Sequence, residues 1–166
     1  MSFKDINIRD INESSPELFG DRWALIGAGD EKNHNIMTVS WGTLGRLWNK
    51  DVATVFIRPQ RHTFDLIDNE DFFTINFLDE KYREALNVCG ASSGADCDKF
   101  ELAKLTPHYT DGTTAVEQSS YFIVCKKIAK TEMKPEDFLD ESISKFYKDN
   151  DFHSVFIGEI IKVCKK

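Results

Sequence analysis

The feature that most constrains this chain is a series of short apolar, β-branched and aromatic runs with no regular alternation between strand and long helix. Segments 23–29, 36–41, 51–57, 72–78, 119–133 and 152–163 each read as a strand. Segment 51–57 is apolar almost throughout, which predicts burial on both faces. The heart of 119–133 is Tyr121-Phe122-Ile123-Val124-Cys125, and Pro135 ends the run. Gly158 marks a bulge or bend in the last strand. Helical spacing is confined to short crossings, so a mainly β barrel with helical decoration is favoured over a doubly wound parallel sheet.

The crossings carry their own signals. Ser14-Ser15-Pro16-Glu17 predicts a helix start, with Ser15 as cap and Pro16 in the first turn. Thr63 is a candidate cap for a helix over 64–69. Residues 81–89 have helical spacing, and Gly90 is the expected stop. Short helices are also expected over 98–103 and 143–148. The 166 residues amount to one domain's worth, with 1–20 as an N-terminal extension, and 41% hydrophobic residues suffice for a core. Thirteen Phe and three Trp give aromatic rings much of the packing.

Composition excludes several classes of function. A net charge of -7 argues against nucleic acid as the main partner, since phosphate-backbone binding needs a basic face. Any anion site must be local and built from a few placed cations. No apolar run reaches the roughly 20 residues of a membrane span, and Met1-Ser2-Phe3-Lys4-Asp5 lacks a signal-peptide core, so a soluble cytoplasmic protein is expected. Cys89, Cys97, Cys125 and Cys164 form no CxxC pair and read as free thiols. His34, His62, His108 and His153 show no HxxxH or HxH spacing, so no metal site is expected. There is no G-x-G-x-x-G fingerprint and no P-loop.

Four groups of residues are candidates for chemistry. Arg58 follows an apolar strand and is held by Pro59. Arg61 starts the next helix, where Thr63 adds a hydroxyl, and together they would clamp a phosphate. The same two arginines could instead neutralise nearby acids. In Asn35-Ile36-Met37-Thr38-Val39-Ser40-Trp41-Gly42, Thr38 and Ser40 share one strand face while Met37, Val39 and Trp41 share the other. Such a strand can bring backbone donors to a flat polar ring, or be an ordinary half-exposed strand. The small-residue loop from Cys89 to Phe100 offers Ser92 or Ser93 and Lys99 as polar contacts, or is a surface loop before a capped helix. His153 can line a cleft as a proton donor or substrate contact, or sit satisfied at a strand end. A guanidinium pair beside a donor-rich strand points to a phosphorylated aromatic cofactor.

Five motifs in order resemble the FMN-binding split-barrel proteins, and among them the flavin reductase-like group that includes flavoredoxin. They are Asn35-x-Met37-Thr38-Val39-Ser40-Trp41-Gly42, Val55-x-Ile57-Arg58-Pro59-x-Arg61-His62-Thr63, Phe73-x-Ile75-Asn76-Phe77, Ser93-Gly94-x-Asp96-x-Asp98-Lys99 and His153-x-x-Phe156-x-Gly158-Glu159-Ile160. The resemblance runs from about residue 20 to the C-terminus. It implies a six-stranded antiparallel split β-barrel of Greek-key character with short peripheral helices, and a homodimer with FMN near the interface. It assigns the isoalloxazine to Asn35, Met37, Thr38, Ser40 and Trp41, and the phosphate and ribityl chain to Arg58, Arg61 and Thr63. Ser93 and Lys99 would close over the cofactor, and His153 would stand where reductant or substrate approaches. Ala95 replaces an arginine that relatives often carry, leaving one fewer cation in that loop.

The implied function is an FMN-dependent oxidoreductase that takes a hydride from NADH or NADPH and reduces free flavin, a ferric chelate or a redox protein. The alternative is an FMN-containing electron carrier reduced by a partner protein. A non-catalytic flavin- or haem-binding module is a third option.

Overall fold

The computed structural model describes residues 2–166. Its ten strands are β1 (Lys4–Ile6), β2 (Ala24–Gly29), β3 (His34–Val39), β4 (Gly42–Leu47), β5 (Lys50–Ile57), β6 (Phe72–Leu78), β7 (Pro107–Thr110), β8 (Thr113–Val116), β9 (Ser119–Glu132) and β10 (Ser154–Lys165). Three α-helices are interspersed: α1 (His62–Asn69), α2 (Arg83–Ala91) and α3 (Lys99–Ala103).

One antiparallel sheet runs β3-β2-β6-β9-β10-β5-β4, and β1 pairs with the far half of β10. A separate hairpin, β7-β8, packs beside β2 and β6. β3 and β4 stand at opposite ends of the strand order, yet only Ser40 and Trp41 separate them in sequence. A two-residue link brings those ends together, so the sheet must curl on itself without a β3–β4 ladder to seal it. This is the expected split barrel, with β1 and β4 as further strands beyond the six. β4 escapes sequence reading because it is a largely exposed edge containing Gly42 and Gly45.

β10 serves two neighbours because it bends. Its register against β9 shifts at Ile157/Gly158 and again at Ile160/Lys162. A Cβ on Gly158 would lie 2.7 Å from the Cys125 Cβ and 2.8 Å from the Phe73 ring, so the bulge carries the glycine that the core requires.

The barrel interior holds Ile26, Met37, Val39, Val55, Ile57, Phe73, Ile75, Phe77, Ile123 and Phe156. A second core lies outside the barrel, where Leu25 and Ile36 meet Leu86, Cys89 and Phe100 of α2 and α3. β2 and β3 therefore bury large apolar side chains on both faces, each contributing about 1.5–3 kcal/mol when fully buried. β5 is less so, since Thr54 and Phe56 are only half-buried. Asn76, fully buried, donates to Leu25 O at 3.0 Å and accepts from Val116 N at 2.9 Å, tying β6 to β2 and β8.

Local boundaries differ from expectation in four places. Ser14, not Ser15, caps the first turn through reciprocal contacts with Glu17, and the segment from Glu17 to Arg22 is a π-helix. α2 runs through Gly90 to Ala91. α1 begins at His62 with Arg61 at its cap, because the Thr63 hydroxyl is turned inward. The 143–148 helix is a 3-10 segment over Glu141–Phe146.

Candidate functional site

A cleft of about 250 Å³ opens where the two ends of the sheet meet. Met37, Thr38, Val39, Ser40 and Trp41 form one wall, and Phe56, Arg58, Arg61 and His153 form the other. Topology explains the grouping. β3 and its exit lie at one end of the strand order, the β5 exit lies next to β4 at the other, and His153 directly precedes β10, the neighbour of β5.

Each wall residue is placed by its own element. Met37 and Val39 point into the barrel core, while the Thr38 hydroxyl donates to Leu86 O of α2 at 2.5 Å. The polar face of β3 is thus turned toward α2, and its donor is already engaged. Trp41 remains 43% exposed at the mouth, with its ring edge-on to Phe146 at 5.4 Å and 5.3 Å from His153.

The two arginines have separate environments. Arg58 forms an ion pair with Asp151 and donates to Phe146 O at 2.9 Å, and its guanidinium lies 5.2 Å from the centre of the Tyr147 ring. Gln60 donates to the same Asp151 oxygen at 2.9 Å. Residues 133–153, the connection from β9 to β10, are thereby strapped across the cleft by Arg58.

Arg61 has no carboxylate partner among the described residues. Both of its terminal nitrogens stand 3.4 Å from Gly90 O. Burial and then Arg58 push its pKa down. Lys99, 3% exposed, donates to Cys89 O at 2.8 Å and also lacks a carboxylate partner among those residues. Burial, then the nearby Arg61 charge, lowers its pKa to about 8. The two cations meet the last carbonyls of α2, the negative end of that helix. The thiol of Cys89 is pushed up to about 11 by burial, which keeps it protonated and inert.

The remaining expected residues sit behind Arg61 rather than on the cleft wall. Asn35 donates to the Thr63 hydroxyl at 2.8 Å, and both are buried. A Cβ on Gly94 would stand 2.5 Å from the Asn35 amide, so only glycine lets the loop settle there. Ser93 is exposed and organises that loop, its Oγ accepting from Ala95 N and its carbonyl from Asp96 N. Asn35, Thr63 and Gly94 therefore form a joint between β3, α1 and the loop that leads into Lys99, while Ser93 stays exposed on that loop.

His153 is 7% exposed, with Nδ1 2.6 Å from the Tyr147 hydroxyl. Burial, then the Arg58 charge, lowers its pKa to about 4, so the ring is neutral at pH 7. Sequence reasoning missed Val39, Phe56 and the whole strap with Phe146, Tyr147 and Asp151. The available signal was the aromatic density of Phe138, Phe146, Tyr147 and Phe152 just before His153. No group of three His, Cys, Asp or Glu residues could hold a metal ion among the described residues. None of the described helices is long and apolar enough to cross a membrane.

Residues 17–165 match the flavin reductase like domain family. The chain belongs to that family. Solved structures share the fold: flavoredoxin from Methanosarcina acetivorans superposes with a TM-score of 0.70 at 20% identity, covering 87% of this chain and 68% of that one. The NADH:FAD oxidoreductase of Streptomyces globisporus gives 0.68 at 15% identity, covering 90% and 80%. A protein described as a flavin reductase with a split barrel domain, from Shewanella frigidimarina, gives 0.66 at 24%, covering 95% and 74%. No curated protein sequence matches the chain significantly. Family membership places the chain among flavin-linked redox domains, and at the barrel seam Arg61 on the cleft wall and Lys99 near it have no carboxylate partner among the described residues.

Proposed function

We propose that this chain binds FMN at the barrel seam and works as an NAD(P)H-dependent flavin oxidoreductase, with free flavin, a ferric chelate or a redox protein as acceptor. The observation that carries the reading is the pair Arg61 and Lys99, one half-buried on the cleft wall and the other buried beside it, neither with a carboxylate partner among the described residues. A buried cation without a counter-ion is costly, and a phosphate supplies the missing charge. The donor set thus fits a phosphorylated cofactor. Arg61 and Lys99 would hold its tail, supported by Thr63, Asn35 and Ser93. The strand stretch through Met37, Thr38, Ser40 and Trp41 would line the ring, with its backbone and with the exposed side chains of Ser40 and Trp41.

Arg58 is committed to Asp151 and Phe146 O, so its part in this scheme is to hold the strap down at the ring end of the cleft. Bound flavin supplies the redox chemistry, accepting a hydride and passing electrons onward. The chain contributes binding, orientation and exclusion of water. A homodimer with the cofactor near the interface belongs to the same proposal, and the exposed rings of Trp41 and Phe146 at the cleft mouth suit such a cover.

A second reading, an electron carrier reduced by a partner protein, draws on the same exposed aromatic mouth, which would dock a redox partner. Titrating the purified chain with FMN and mixing the complex with NADH or NADPH in a stopped-flow instrument separates the two. Rapid loss of the oxidised-flavin absorbance supports the enzyme. A complex that bleaches only when a reductase is added supports the carrier, and no binding of FMN at all removes both.

A further inference from the structure

The contact between Tyr147 and His153 is the most constrained polar pair in the cleft that no assigned role uses. The His153 ring has two nitrogens. Nδ1 lies 2.6 Å from the Tyr147 hydroxyl. Nε2 has no protein partner, yet it is not among the buried atoms left unsatisfied, so it is the nitrogen open to the cleft that His153 lines.

Tyr147 is itself immobilised. Its ring stacks on Phe138 at 5.5 Å with planes 5° apart, packs against Phe152 at 5.0 Å, and carries the Arg58 guanidinium over its face. The charged and titratable groups near His153 are Arg58, from the end of β5, and Asp151 and Tyr147, from the strap. Arg58 opposes a proton on the imidazole; Asp151, whose charge would favour one, is already paired with that same arginine.

The Tyr147 hydroxyl also stands 3.5 Å from Met133 Sδ, but a thioether is a weak acceptor and a neutral imidazole nitrogen at 2.6 Å a far better one, so the phenol proton is directed to Nδ1. The remaining imidazole proton is then on Nε2. We infer that Tyr147 is a positioning residue, locking His153 as the Nε2–H tautomer so that the cleft presents a fixed, uncharged hydrogen-bond donor to a carbonyl oxygen on a flat ring. Two sources of such a carbonyl satisfy that chemistry under the proposed function, on which this assignment of a ligand rests: the flavin pyrimidine ring and the carboxamide substituent of a nicotinamide. The low proton affinity of His153 agrees with the lock, since a bond donated to Nδ1 favours the neutral ring.

The test uses the full chain labelled with 15N and the variant Tyr147→Phe, which keeps the stacked ring and removes only the hydroxyl. Long-range 1H–15N spectra of the flavin-free wild type should show His153 protonated at Nε2 and bare at Nδ1 at pH 7. In the variant the Nδ1–H form should rise roughly fivefold relative to wild type, the change expected on losing one neutral hydrogen bond. With FMN and NADH as probes, the variant should show either a several-fold weaker FMN Kd or a several-fold higher KM for NADH with kcat held. The first outcome places the donor on the flavin, the second on the nicotinamide, and either supports the inference.

A wild-type spectrum with the proton on Nδ1 overturns it, and that measurement needs neither the variant nor flavin. It is also overturned if Tyr147→Phe changes neither the tautomer ratio nor any binding constant while FMN still binds. Failure of FMN to bind the wild type would refute the cofactor reading alone, and the spectra would still decide the tautomer.

Discussion

Replacing Lys99 with Met separates binding from stability, because burial sets the two in opposition at this position. The ammonium is 3% exposed, and its pKa falls from 10.5 to about 8. That difference corresponds to about 3 kcal/mol by which the folded state disfavours the charged form. A lysine with a depressed folded pKa carries this penalty in full below pH 8. The penalty is relieved as pH rises from about 8 toward 10.5, where the unfolded chain still holds the proton. Lys99→Met removes the penalty but strands Cys89 O, which loses its 2.8 Å partner at a cost of about 1–3 kcal/mol.

The expected net effect at pH 7 is therefore between zero and about 2 kcal/mol of added stability, read as a higher urea midpoint. FMN affinity should fall by about 10- to 150-fold, the equivalent of one charge-assisted bond. In the wild type, FMN affinity should weaken as pH rises above about 8, because binding needs the protonated amine. In the variant that dependence should vanish. A variant that is markedly destabilised yet binds FMN normally would refute the reasoning, since Lys99 would then be a packing residue with no anion to hold.

Four other outcomes follow from the same geometry. Arg61→Ala should weaken FMN binding by about 10-fold or more, and Arg58→Ala by less, because Arg58 is already paired; isothermal titration of both variants checks the order. His153 should make the protein acid-sensitive: the unfolded ring titrates near 6.5 and the folded one near 4, so stability falls by up to about 3 kcal/mol as pH drops through that window, and urea midpoints for wild type and His153→Gln should show the loss only in the wild type. Gly158→Ala should cost about 2–3 kcal/mol in thermal denaturation, since its Cβ would meet Cys125 and Phe73 inside the barrel. Asp151→Asn should release the strap, seen as faster proteolytic cleavage within residues 133–153 without loss of the barrel.

Much of the frame was legible because strand burial leaves a period in the sequence. The runs around Phe73, Tyr121 and Phe156 name the barrel interior directly, and Gly158 announced the bend in β10. β4 was not legible, because an exposed edge has no apolar face to record. The Ser14 cap was read one residue late, since Ser14 and Ser15 have the same chemistry and only the reciprocal contact with Glu17 tells them apart.

At the site, residue types alone grouped Arg58 with Arg61. Which of them has a carboxylate depends on Asp151, 93 residues from Arg58 along the chain, and no local pattern encodes that pairing. Thr63 and Asn35 were likewise candidate ligand contacts by type, and folding turned them toward each other.

The sequence by itself determined a mainly β chain with short helical crossings, a net acidic charge with a few clustered cations, and the β3 segment as a candidate wall of a site, because periodicity and composition are local properties. Only the tertiary structure decided that the seam between β3 and β5 is the cleft, that Arg61 and Lys99 stand beside it without a carboxylate partner among the described residues, and that Tyr147 addresses His153. Those facts depend on which distant groups share a low-dielectric space, and charge, burial and tautomer take their meaning from that neighbourhood.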